Sequence, residues 1–161
     1  MLKYIIQLGL LVFTFTAVST YQELGMLKEN GKTSAPFFSL PKLDDPQQRI
    51  DLTSIKGKQT VVYFFAPWCS ICKYSMPNLD KLYKNNELNA IAIALDYPDI
   101  QSVHQFSEAL SLSMPILLGD STTAQNFKVK AYPTYYVIDE NLKVVERSVG
   151  YSSELGIKIR L

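Results

Sequence analysis

Cys69 and Cys72 are the only two cysteines of this 161-residue chain, and they stand in C-x-x-C spacing within Phe64-Phe65-Ala66-Pro67-Trp68-Cys69-Ser70-Ile71-Cys72-Lys73. One helical turn separates them, so a helix starting here brings both sulfurs to its first turn. The pair can then switch between dithiol and disulfide without moving the backbone. The run Val61 to Phe65 is β-branched and aromatic and reads as a buried strand, while Ile71, Leu79, Leu82 and Tyr83 follow at near-helical spacing. The cysteines therefore fall where a strand gives way to a helix. The N–H groups of a helix's first turn have no intrahelical partner and carry the positive end of its dipole, which favours a thiolate. Lowering a thiol pKa from about 8.5 to about 7 is roughly 2 kcal/mol of preference for the anion, enough to make Cys69 nucleophilic at neutral pH. Cys69 is expected to be exposed and to attack, and Cys72, one turn inside, to be shielded and to resolve the mixed disulfide.

Other chemistries of a C-x-x-C pair make different demands. A purely structural bridge between such near neighbours would constrain the unfolded chain very little. Covalent haem attachment needs His after the second cysteine, where this chain has Lys73. Structural zinc needs four ligands, and the chain offers two cysteines and the distant His104, which lies in a polar helical stretch and is expected to be solvated. A copper(I) site could use the two thiolates alone and stands as the alternative function, although Trp68 and the strand-to-helix setting favour redox exchange.

The stretch FFAPWCSICKYSMP, with Pro77 five residues after the second cysteine, closely resembles the thioredoxin-fold active site. From about Ala35 to the C-terminus the chain resembles the membrane-anchored TlpA and ResA group of extracytoplasmic thiol-disulfide oxidoreductases, in particular their ScsD-like members. A second signature, Val129-Lys130-Ala131-Tyr132-Pro133-Thr134, is similar to that family's V-x-G-x-P-T segment, whose proline is cis. The resemblance implies that Pro133 packs beside the cysteine pair and that Tyr132 offers its backbone N–H and C=O to an extended substrate segment as a short β-bridge. Trp68 would shape the rim. No bound cofactor is implied beyond the redox-active Cys69–Cys72 disulfide, and the partners implied are protein thiols or disulfides and a membrane redox partner.

Two departures bear on proton transfer. Many thioredoxins have a buried aspartate where this chain has Tyr63, and ResA-like proteins have a glutamate where it has Ser75. Deprotonation of Cys72 must then depend on water, Lys73 or the Tyr63 hydroxyl. Ala131, where the family often has Gly, implies a backbone without positive φ at that position. A peroxidase of the peroxiredoxin type would want Thr and Pro three and seven residues before its nucleophile, where Ala66 and Val62 stand.

The remaining chain must position these groups. With 47% hydrophobic residues and a net charge of +1, it suits one domain with a real core, and the absence of a basic stripe argues against a nucleic-acid partner. Residues 1–20 hold an uncharged apolar run, Tyr4 to Thr20, behind Lys3, and read as a membrane anchor or signal peptide that places the rest outside the cytoplasm, where disulfides persist. Residues 21–34 turn polar and read as a linker, and 35–161 as the thioredoxin-like domain. Phe37 to Leu40 and Arg49 to Leu52 predict an N-terminal β-hairpin extension. Ala90 to Leu95 predicts a central parallel strand. Asp99 to Leu110 and Ile116 to Leu118 predict a helix and strand that match the TlpA-like central insertion. Thr134 to Ile138 and Leu142 to Val149 predict a closing hairpin, and Ser152 to Leu161 a last helix. The fold class is thus α/β, thioredoxin-like, with a mixed central sheet.

Overall fold

The computed structural model describes residues 3, 4, 6, 7, 9–11, 13, 14 and 25–161. Those among 3–14 are helical and exposed. Part of the expected anchor and the first residues of the expected linker, 15–24, lie outside the described residues. Among the described residues no helix is long and apolar enough to cross a membrane.

The element order is β1 (Ser39–Pro41), β2 (Arg49–Asp51), a 3-10 turn (Leu52–Ile55), β3 (Thr60–Phe65), α1 (Ser70–Lys84), β4 (Asn89–Ala94), α2 (Ile100–Ala109), β5 (Ile116–Leu118), α3 (Ser121–Asn126), β6 (Thr134–Ile138), β7 (Val144–Val149) and α4 (Glu154–Lys158). β1 and β2 form the expected antiparallel hairpin. The other five strands make one mixed sheet in the order β5-β4-β3-β6-β7. β3 runs parallel to β4 and antiparallel to β6, so the strand leading into Cys69 is the middle of the sheet. That position explains its sequence, since a strand covered on both faces needs no polar side chain and Thr60–Phe65 is buried throughout.

Alternation along the strands splits the core into two layers. Val61, Tyr63 and Phe65 face one layer with Ala92, Tyr135 and Val137, and there meet Cys72, Met76 and Leu79 of α1, Phe106 of α2 and Ile157 of α4. Val62 and Phe64 face the other with Ile93, Tyr136 and Ile138, covered by Phe38, Leu40, Leu52 and Phe127. α1 runs without interruption through Pro77. Asp80, buried on its inner face, accepts the Ser113 and Met114 N–H groups at 2.8 and 2.9 Å and the Lys84 ammonium at 2.8 Å, which ties the helix to the loop before β5.

Packing extends further toward the N-terminus than the expected start at 35. Met26 and Leu27 are buried in the second layer, Leu27 N–H donates to the Tyr136 hydroxyl at 3.3 Å, and Arg147 Nη1 donates to Leu27 O at 3.0 Å. Gly31 N–H donates to Val144 O, and Val144 N–H in turn donates to Thr33 O. Residues 25–34 therefore behave as an edge of the domain, because two apolar side chains among their charges find the uncovered end of the second layer.

Candidate active site

Cys69 is the N-cap of α1, in extended conformation at φ −76° and ψ 109°, and its sulfur accepts the Cys72 N–H at 3.2 Å. The first-turn donor that would otherwise be orphaned thus points at the sulfur of the expected nucleophile. Cys69 and Cys72 are joined as a disulfide with Cα atoms 5.3 Å apart. Cys72 is 0% exposed, as its place inside the helix predicts. Cys69 is more covered than expected at 5%, because it too borders the core layer under α1. It remains the more exposed residue of the two.

The Tyr132–Pro133 peptide bond is cis. Gly150 N–H donates to Pro133 O at 2.8 Å and Thr134 Oγ1 donates to Ala131 O at 2.8 Å, fixing the loop on both sides of Tyr132. The Tyr132 N–H and C=O themselves make no hydrogen bond among the described residues. Ala131 is not among the residues with positive φ, in keeping with the departure from glycine there.

Trp68 is 63% exposed yet held: its indole N–H donates to Asp96 O at 2.9 Å, and its ring meets that of Tyr132 edge to face at 5.8 Å and 82°. The Tyr132 hydroxyl donates to Asp96 Oδ2 at 2.8 Å. Burial, and then the Asp96 carboxylate, push the Tyr132 phenol well above the usual tyrosine range, so it stays protonated and keeps donating. The fold therefore sets Trp68, next in sequence to Cys69, against Tyr132, the residue before the cis Pro133. It adds Asp96, which sequence reasoning missed. The signal was faint, a single aspartate just past an apolar strand. Beyond Trp68, a mainly apolar groove of about 390 Å³ is lined by Pro67, Lys73, Pro98, Phe106 and Leu110.

Below the disulfide, the positions of the family's acids hold hydroxyls. Tyr63 is 1% exposed in the same core layer as Cys72 and stacks on Tyr135 at 6.2 Å. Its hydroxyl makes no hydrogen bond of ordinary geometry among the described residues, and the nearby Ser75 hydroxyl is bonded to Ser152 instead. Burial raises its pKa far above the ordinary value, the Ser75 hydroxyl opposing and Tyr135 adding to the shift. Ser75 Oγ accepts the Ser152 N–H at 3.1 Å, and Ser152 Oγ donates to the Tyr135 hydroxyl at 3.4 Å. Lys73 is exposed and stands with the groove rather than with this cluster, so of the two side chains expected to serve Cys72 only Tyr63 shares its surroundings. His104 is half-buried on α2 and takes no part in the site. Among the described residues no group of three or more His, Cys, Asp and Glu could hold a metal ion.

A disulfide at a helix N-terminus after a central strand, whose neighbouring tryptophan packs on the tyrosine before a cis proline, can be compared with known proteins. Residues 32–147 match the profile of the AhpC/TSA family. The chain belongs to the AhpC/TSA family. Within this thioredoxin-fold family it resembles thioredoxin-like protein YneN of Bacillus subtilis (strain 168), 30% identical over 131 residues that cover 79% of this chain and 76% of YneN. The thiol-disulfide oxidoreductase ResA of Bacillus cereus is 32% identical over 119 residues, 72% of this chain and 68% of ResA. The pneumococcal exposed lipoprotein thioredoxin of Streptococcus pneumoniae strain TIGR4 shares the fold, with a TM-score of 0.68 at 24% identity, covering 77% of this chain and 96% of that one. As an AhpC/TSA family member of this branch, the chain is a thiol-disulfide oxidoreductase with Cys69 and Cys72 as its redox pair.

Proposed function

We propose that the protein is held outside the cytoplasmic membrane by residues 1–20 and exchanges disulfides with extracytoplasmic protein clients, Cys69 attacking and Cys72 resolving. The observation that carries the assignment of roles is the asymmetry of the pair: the Cys69 sulfur caps the helix and accepts a first-turn N–H, while Cys72 is wholly enclosed. In the reducing direction the Cys69 thiolate attacks one client sulfur. An S–S bond forms to Cys69, the client bond breaks, and a client thiolate leaves. Cys72, giving up its proton, then attacks the Cys69 sulfur, and the second client thiol departs as the Cys69–Cys72 disulfide closes. Two electrons pass to the client, and the oxidising direction is the same sequence reversed. A membrane redox partner would reset the pair.

Client binding rests on Tyr132, whose free backbone N–H and C=O beside Pro133 suit a short β-bridge to an extended segment, with Trp68 at the rim. The apolar run Tyr4 to Thr20 behind Lys3 supports the anchor, and the name of the pneumococcal relative, an exposed lipoprotein, is in keeping with an exported site.

The test is a trap. Cys72→Ser in the full chain, expressed in its own membrane, should accumulate mixed disulfides through Cys69 that a reductant releases, and Cys69→Ser should accumulate none. Binding of copper(I) by the reduced pair, with no turnover of insulin or a model disulfide, would overturn this reading in favour of a copper protein. Peroxide should be turned over poorly, since Ala66 and Val62 stand where a peroxiredoxin would place Thr and Pro.

A further inference from the structure

Three loops converge on one residue at the mouth of the site. Trp68 comes from the β3–α1 loop, Tyr132 from the α3–β6 loop, and Asp96 from the β4–α2 loop between them. Asp96 uses two different acceptors at once, its backbone carbonyl for the Trp68 indole at 2.9 Å and its carboxylate for the Tyr132 hydroxyl at 2.8 Å. It does so from a left-handed backbone, at φ +47°. Asp and Asn tolerate that region better than other residues with a Cβ.

An indole that is 63% exposed is not fixed by packing, since most of its surface meets water. What orders it is the bond to Asp96 and the edge-to-face contact with the Tyr132 ring, and Tyr132 is itself tied to Asp96. The triangle closes on itself, with each member holding the other two. The residue preceding the expected nucleophile and the residue preceding the cis proline are thereby set at a fixed separation.

We propose that Asp96 is a positioning residue for disulfide exchange, clamping Trp68 and Tyr132 so that the rim of Cys69 and the client-pairing backbone of Tyr132 meet an incoming polypeptide as one preformed edge. The proposal rests on the reading of Tyr132 as the residue that pairs with the client. A client segment then binds without first ordering two separate loops, and the entropy of that ordering is removed from the binding step. Loss of the clamp should therefore appear in client affinity rather than in the chemistry of the sulfurs.

Trp68 is the single tryptophan of the chain, so its fluorescence reads the clamp directly and needs no client. In the full-length protein, Asp96→Ala should lower Trp68 anisotropy and increase its quenching by acrylamide. It should raise KM for a peptide disulfide roughly tenfold, the scale of one or two lost hydrogen bonds, while kcat, the redox equilibrium with glutathione and the Cys69 alkylation rate stay within about twofold. Asp96→Asn, which keeps the left-handed preference and a side-chain acceptor, should restore both fluorescence and KM. Asp96→Gly keeps the backbone but loses the carboxylate, and should fall between. Tyr132→Phe should reproduce the KM effect from the other end and tests the same link should Asp96→Ala fail to fold. Unchanged anisotropy and KM in Asp96→Ala and Tyr132→Phe would overturn the proposal, as would failure of Asp96→Asn to rescue. Loosened fluorescence with KM unmoved would overturn the client role. A wild-type protein that exchanges no disulfide at all would instead sink the functional reading and leave the fluorescence result to judge the clamp.

Discussion

Tyr63→Phe removes one oxygen from the centre of the domain, and the structure says what that oxygen costs. The Tyr63 side chain is 1% exposed, its hydroxyl makes no hydrogen bond of ordinary geometry among the described residues, and its ring stays stacked on Tyr135 when the oxygen is gone. A buried hydroxyl without a hydrogen bond costs about 1–3 kcal/mol, and the void left by a single oxygen offsets only part of the relief. The oxidised Tyr63→Phe protein should thus be about 1–2 kcal/mol more stable than the parent, a rise in Tm of a few degrees for a domain of this size. Should the hydroxyl bond to the Cys72 thiol, which lies in the same core layer, once the disulfide is reduced, the stabilisation should shrink or vanish in that state. The difference between the two states is a shift in redox poise: about 1 kcal/mol corresponds to roughly 20 mV toward a harder-to-reduce disulfide. Urea unfolding of oxidised and reduced protein, with equilibration against glutathione as an independent arm, measures both quantities. A loss of more than about 1 kcal/mol in the oxidised variant would show the hydroxyl to be bonded and refute the reasoning. Equal effects in the two redox states would show that it does not serve Cys72.

Other outcomes follow from the same description. Asp80→Ala strips the Ser113 and Met114 N–H groups of their acceptor in a buried setting and should cost roughly 2–4 kcal/mol by chemical denaturation, with little effect on alkylation of Cys69. Asp120 caps α3, and the backbone N–H and then the hydroxyl of Thr123 hold its carboxyl below the ordinary value of 3.8. Because the folded-state pKa is the lower one, this contribution is present above about pH 4 and is lost as pH falls through the folded value. Asp120→Ala should therefore flatten part of the acid limb of a stability–pH curve and leave the limb above about pH 5 unchanged in shape. With Lys143→Ala, which removes an exposed bond to Ser34 Oγ, stability should change by less than about 0.5 kcal/mol in thermal unfolding.

Much of the frame was legible because burial leaves a periodic trace. Ile116–Leu118 and Thr134–Ile138 fall where their apolar runs place them, and Asp99 caps a helix whose Val103 and Phe106 are its buried face. The cysteine pair was legible from type and spacing, and the cis bond before Pro133 from resemblance rather than from any local preference. What stayed hidden depends on long-range meeting. Asp96 bonds residues 28 and 36 positions away, and nothing in Leu95-Asp96-Tyr97 announces that. Met26 and Leu27 sit among Gly25, Lys28 and Glu29, a local composition that reads as linker, and only the open end of the second core layer makes them buried. The contact of Ser75 with Ser152 joins α1 to the loop before α4 and was likewise invisible to local pattern.

The most direct test of the central claim is the pH dependence of alkylation in the reduced protein, followed sulfur by sulfur by mass spectrometry. The Cys69 N-cap geometry predicts that this thiol ionises below the value of about 8.5 for a free cysteine and reacts well before Cys72. Titration of Cys69 at about 8.5, or earlier labelling of Cys72, would contradict the account.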